Sequence, residues 1–137
     1  MRANILTAVL IVGFAIWLGA HATEVAWTPV RMTGAAVAAV ALILLLVARI
    51  QLGRSFSVAA KAHKLVTAGL YARIRNPIYV FSALFLCGIF VAAGHPRLLL
   101  FLVLLVPVQA TRVRREERVL REAFGEEYMR YRARTWF

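Results

Sequence analysis

The residues with chemical potential gather in two short polar stretches. Residues 63–79 bring His63, Lys64, Tyr71, Arg73, Arg75, Asn76 and Tyr79 close together along the chain, between apolar runs on both sides. The second stretch holds Arg112, Glu116 and Glu117. Arg112 and Glu116 stand four residues apart, so on a helix they share a face. Tyr71 and Tyr79 offer hydroxyls and aromatic faces, and an aromatic face attracts a cation. Asn76-Pro77 is a good helix start, with Asn free to cap the first amides and Pro in the position that loses no needed donor. A helix start of that kind presents N–H groups and partial positive charge, which suit a carboxylate or phosphate. Other constellations are missing from the sequence. No Gly-rich phosphate loop or Ser-centred nucleophile motif occurs, and aspartate is absent. His21, His63 and His95 lack metal-ligand spacing. Cys87 stands alone, so no internal disulfide is possible.

The elements that must position these groups are membrane elements. The chain is 62% hydrophobic with a net charge of +11, and its mean hydropathy of +0.75 lies outside the range of soluble domains. We expect an all-α integral membrane protein with about four transmembrane helices, in one domain over residues 1–137. The apolar runs are 3–20, 32–50, 77–93 and 98–111, joined by a loop at 51–76 and followed by a tail at 112–137. The first two approach the ~20 residues that cross a ~30 Å hydrocarbon core. The last two are shorter and are split by Gly94-His95-Pro96-Arg97, a turn signal, so they read as a helical hairpin whose helices extend at the cytosolic end into polar sequence. A re-entrant pair is the rival reading. The first run is read as a retained span rather than a leader.

Charge sets the expected orientation. The loop carries Arg54, Lys61, Lys64, Arg73 and Arg75 without an acid, and the tail is rich in Arg. Four spans put loop and tail on one side, which the positive-inside rule makes cytosolic, with both termini there. A prokaryotic cytoplasmic (inner) membrane is the expected location. The basic residues hug predicted span ends, where anionic headgroups attract them, so nucleic acid is not an expected partner. In the tail, residues 111–131 read as helical. Gly125 marks a stop that needs a left-handed backbone, and a short second helix carries Tyr128 and Tyr131 on one side.

Residue types and spacing leave the function open. Boundary tyrosines are commonly interface anchors, loop arginines are commonly orientation signals, and Glu116 and Glu117 among arginines commonly form a solvated face. The order of residues narrows this. The pattern H-x-L-V-x-x-G-x-Y-x-x-x-R-N-P-x-Y over 63–79, then R-x-x-x-E-E at 112–117 and F-G-E-E-Y-x-x-Y at 124–131, resembles the isoprenylcysteine carboxyl methyltransferase family and its relatives, the membrane phospholipid methyltransferases. Asn76 stands where that family most often has His.

The resemblance covers residues 48–131. It implies an S-adenosylmethionine-dependent methyltransferase whose cofactor pocket is closed at the cytosolic face by these two segments. Carried over by motif, His63, Lys64, Leu65, Val66, Tyr71, Asn76, Pro77, Ile78, Tyr79 and Glu116 contact the cofactor, and Arg112 faces a lipophilic substrate. Carboxyl O-methylation of an isoprenylcysteine-like group is the favoured reaction. Phospholipid N-methylation, NADPH-dependent reduction as in related sterol reductases, and a non-enzymatic transporter or adaptor are the alternatives. No metal is expected, and oligomeric state is left open. A cation exporter needs a buried acid within a span, and none of the four runs contains one.

Overall fold

The computed structural model describes residues 26–53 and 65–136, together with the helical positions Val12, Ile16 and Ala20. Apart from those positions, the first apolar run lies outside the described residues, as do His63 and Lys64. Three helices account for most of what is described: α1 over Pro29–Leu52, α2 over Pro77–Ala92 and α3 over Leu99–Arg134. No strand occurs among the described residues. A single parallel bridge pairs Ile74 with Trp136.

Each end of α1 has a local cause. Thr28 has extended backbone and its hydroxyl accepts from the Arg31 N–H at 3.4 Å, with Pro29 following in the first helical position. At the other end Gly53 takes φ 51° and returns its N–H to the Arg49 carbonyl. At 24 residues α1 is longer than the 32–50 expected from sequence, because the cap and Pro29 recruit an extra turn. Its length is about 36 Å at 1.5 Å per residue, and it is apolar enough to cross a membrane. Most of its surface is exposed, including Val40, Ile43, Leu46 and Ile50.

The buried face of α1 is Gly34, Ala38, Ala41, Leu45 and Ala48. These recur every three or four residues, so they form one narrow stripe of mostly small side chains. Against it lie Phe81, Phe85, Gly88, Ile89 and Ala92 of α2. The two backbones meet at Gly34 and Gly88. A Cβ on Gly88 would stand 2.6 Å from the Ala38 nitrogen and 2.7 Å from the Gly34 carbonyl oxygen. Where lipid surrounds helices, such close backbone approach supplies the dispersion contact that burial from water supplies elsewhere. This pair is the frame of the molecule.

Pro77 opens α2, as the sequence indicates, and is buried. The expected cap is not made: the Asn76 side chain forms no capping hydrogen bond. Its backbone carbonyl serves instead, accepting from the N–H groups of Tyr79 at 3.1 Å and Val80 at 3.3 Å. At 16 residues α2 is about 24 Å long, shorter than a full hydrocarbon core. Gly94, at φ 74°, and a short 3-10 turn at Pro96–Leu98 then reverse the chain.

As expected, the last apolar run continues as helix into polar sequence. The fourth apolar run and the tail are one helix, α3, passing through Pro107. Thr111 lies within it, and its hydroxyl donates back to the Val108 carbonyl at 2.8 Å. The break comes at Gly125, whose φ 49° and ψ −119° kink the helix. A last helical segment to Arg134 then turns Tyr128 and Tyr131 inward, buried to 1% and 8% exposure.

Candidate functional site

The site is built where the loop before α2 meets the far half of α3. Residues 65–76 are irregular, with one 3-10 turn at Gly69–Ala72. The loop is tied at both sides. The Leu70 N–H donates to the Gln51 Oε1 at 2.8 Å, which fastens it to the end of α1. Gly69 has φ 63°, and a side chain there would run into that same glutamine amide. On the other side Tyr131 donates its hydroxyl to the Tyr71 carbonyl at 2.8 Å, and the Trp136 N–H donates to the Arg73 carbonyl at 3.1 Å. The chain end therefore closes over the loop.

Burial keeps the phenols here protonated. The Tyr131 hydroxyl is pushed up to about 12, first by burial and then by Tyr128, with Arg75 opposing. Tyr71 is raised well above its ordinary value, first by burial, then by the nearby Tyr131 and Glu116, with Arg49 opposing. Both remain hydrogen-bond donors at any working pH.

At the centre, Tyr79 on the first turn of α2 donates its hydroxyl to Glu116 Oε1 on α3 at 2.6 Å. That is a short, charge-assisted bond. Arg112 approaches the same oxygen through Nε at 3.6 Å, an ion-pair distance rather than a hydrogen bond. Its guanidinium also lies 5.7 Å from the centre of the Tyr79 ring, within cation–π range. Neither contact uses Glu116 Oε2. The Glu116 side chain is 25% exposed and that of Arg112 50% exposed, so the cluster is open to solvent on the arginine side. The expected set divides accordingly. Tyr79, Glu116 and Arg112 are brought into contact. Asn76, Pro77 and Ile78 adjoin them at the start of α2, and Leu65, Val66 and Tyr71 belong to the loop beside it.

Three contacts were not assigned from the sequence. Gln51 anchors the loop. Arg75 pairs with Glu117 at 3.4 Å, with side chains only 16% and 23% exposed, so neither is a solvated surface charge. Trp136 pairs its backbone with the loop. The doubled acid at 116–117, opposite an Arg and a Tyr spaced four apart at 75 and 79, was the available signal for the second contact.

An all-helical frame with one helix long and apolar enough to cross a membrane carries this cluster, and comparison assigns the class. The phospholipid methyltransferase family model matches residues 29–127, and the chain belongs to that family. Among curated proteins it is similar to protein-S-isoprenylcysteine O-methyltransferase of Schizosaccharomyces pombe (strain 972 / ATCC 24843), 38% identical over 94 residues. That match takes in 64% of this chain and 40% of the relative, so the chain spans well under half of the yeast protein's length. No solved structure matches.

Proposed function

We propose that the chain is an S-adenosylmethionine-dependent methyltransferase working at the cytosolic membrane face on a lipophilic or lipid-attached substrate, with carboxyl O-methylation of an isoprenylcysteine-like group favoured. The observation that carries this is the Tyr79–Glu116–Arg112 cluster, which joins the two motif segments across α2 and α3. Family membership and the yeast relative support the reaction class.

The donor set fits an amino-acid end. Glu116 Oε2 is free of the Tyr79 and Arg112 contacts and suits an ammonium. The Asn76 side-chain amide, unused as a cap, and the Ile78 N–H, unbonded among the described residues, suit a carboxylate. Tyr79 itself keeps only its side chain for this work, because its N–H is committed to Asn76. Leu65 and Val66 are half-buried apolar surface for an adenine face. When bound, S-adenosylmethionine supplies an electrophilic methyl group on a sulfonium. The protein's part is to hold the reactants in line and exclude water. A carboxylate nucleophile is already anionic, so no general base is needed. Arg112, half exposed beside the cofactor-side carboxylate, is placed to hold that anion through its free guanidinium nitrogens.

One second reading has its own support: the family is described as phospholipid methyltransferase, which accords with phospholipid N-methylation as the alternative reaction. We place the chain in four spans with both termini cytosolic, in a prokaryotic inner membrane. Support comes from α1, long and apolar enough to cross, and from the basic loop and tail. The test is titration of detergent-purified protein with S-adenosylmethionine and with NADPH. Micromolar S-adenosylmethionine binding, on the order of −7 to −8 kcal/mol, is expected, without NADPH binding. The reverse preference would move the chain to reductase chemistry, and no binding of either would leave an adaptor.

A further inference from the structure

Two ties, not one, join the start of α2 to α3. Tyr79 holds Glu116, and four residues earlier Arg75 holds Glu117 through NH1 at 3.4 Å. The Arg75–Glu117 pair is more buried than the Arg112–Glu116 pair at its basic end, 16% against 50% exposed. It continues inward to Tyr128. The Arg75 Nε and the Tyr128 hydroxyl are both inaccessible and lack a hydrogen-bond partner among the described residues. Burial raises the Tyr128 pKa and Glu117 adds to the rise, while Arg75 and Arg132 oppose it, so Tyr128 shares an electrostatic neighbourhood with the Arg75–Glu117 pair and Arg132. Taking a guanidinium and a carboxylate this far out of water gains little net stability. Its attested use is to select one arrangement among several.

The arrangement selected here is the rotation of α3. Adjacent helical residues point about 100° apart. Glu116 and Glu117 therefore address different directions, and both ties close only at one rotation of the helix. A slip by one residue would put Glu117 toward Tyr79 and break the Arg75 pair. We infer that Arg75 and Glu117 form a latch that sets the rotation of α3 and so presents Glu116 to Tyr79. Both are positioning residues. The inference rests on Glu116 being the cofactor-side acceptor only for its effect on binding; the geometric coupling is separate.

The experiment reads both. In detergent-purified full-length chain, the thermal midpoint is measured for Tyr79→Phe alone and in an Arg75→Ala background. Dissociation constants for S-adenosylmethionine are measured in parallel. The latch predicts that Tyr79→Phe lowers the midpoint by about 3 °C in the native background and leaves it unchanged in the Arg75→Ala background. Arg75→Ala should weaken S-adenosylmethionine binding by about tenfold, the equivalent of one weakened charge-assisted bond. The exchange of Arg75→Glu with Glu117→Arg should restore both readouts, and Arg73→Ala, an exposed neighbour, should change neither. If Arg75→Ala does not fold, Arg75→Lys and Glu117→Gln serve in its place, since lysine keeps the charge but not the fork. An equal loss from Tyr79→Phe in both backgrounds, or an exchange that restores nothing, overturns the latch. Coupling and rescue with no change in affinity from either Arg75→Ala or Glu116→Gln upholds the latch and removes Glu116 from cofactor binding.

Discussion

Replacing Glu116 by Gln separates the geometry of the site from its charge. A glutamine Oε1 still accepts from the Tyr79 hydroxyl, so the 2.6 Å contact survives as a neutral bond. The Arg112 pair is lost, but that arginine is half exposed, and an exposed pair spaced i,i+4 contributes only about 0.3–0.5 kcal/mol. Folding should therefore change little. Cofactor binding should change more, because Glu116 is the acid in contact with both Tyr79 and Arg112. A hydrogen bond to a charged group is worth about 1.5–3 kcal/mol, against about 1 for a neutral one. Glu116→Gln exchanges one for the other and should weaken S-adenosylmethionine binding by roughly 0.5–2 kcal/mol, about twofold to thirtyfold. Titration calorimetry on detergent-purified protein reads this directly. Arg112→Ala in the same series should leave affinity within about twofold and lower the rate of methyl transfer, since its role is on the substrate side. An unchanged dissociation constant for folded Glu116→Gln, with loss of binding in Arg112→Ala, would refute the assignment of the two roles.

Other consequences reach the frame, the phenols and the topology. Gly88→Leu should prevent the α1–α2 contact, since even a Cβ meets backbone at 2.6 Å, and a loss of several kcal/mol should appear as a protein that is not recovered folded in detergent. The Tyr131 pKa is raised in the fold, so its stabilisation is complete below pH 10 and is lost as pH rises from about 10 toward 12. Alkaline melting should therefore begin above pH 10, and Tyr131→Phe should shift its onset to higher pH at the expense of lower stability at neutral pH. Single cysteines at Ala60 and Ala133, in a Cys87→Ser background, should label from the same side of a sealed vesicle. Labelling from opposite sides would sink the four-span arrangement and any site shared by loop and tail.

Local punctuation was legible in the sequence, and tertiary choice was not. Pro77 opens α2, the turn at residues 94–97 reverses the chain, and Gly125 breaks α3 where a left-handed residue was expected. Tyr128 and Tyr131 share a side and are both buried. Each of these follows from conformational preferences within a few residues. The Asn76 side-chain cap is not made, while its carbonyl accepts from Tyr79 and Val80; spacing alone does not decide whether a side chain turns back to cap. The run of the fourth apolar segment into the polar tail as one helix was also legible, because a helix carries a change in polarity as long as its backbone bonds continue. Tyr79–Glu116 and Arg75–Glu117 span long stretches of chain. Sequence supplied the candidates for those pairs, but only the fold matches each acid to its partner.

The central claim is that the Tyr79–Glu116–Arg112 cluster marks the S-adenosylmethionine site. Ultraviolet crosslinking of S-adenosylmethionine carrying a tritiated methyl group to the detergent-purified chain, followed by peptide mapping, tests it most directly. The account predicts label in peptides covering residues 65–80 or 112–117, competed away by excess S-adenosylhomocysteine and reduced in Glu116→Gln. Label confined to α1, or label that S-adenosylhomocysteine does not displace, would contradict it.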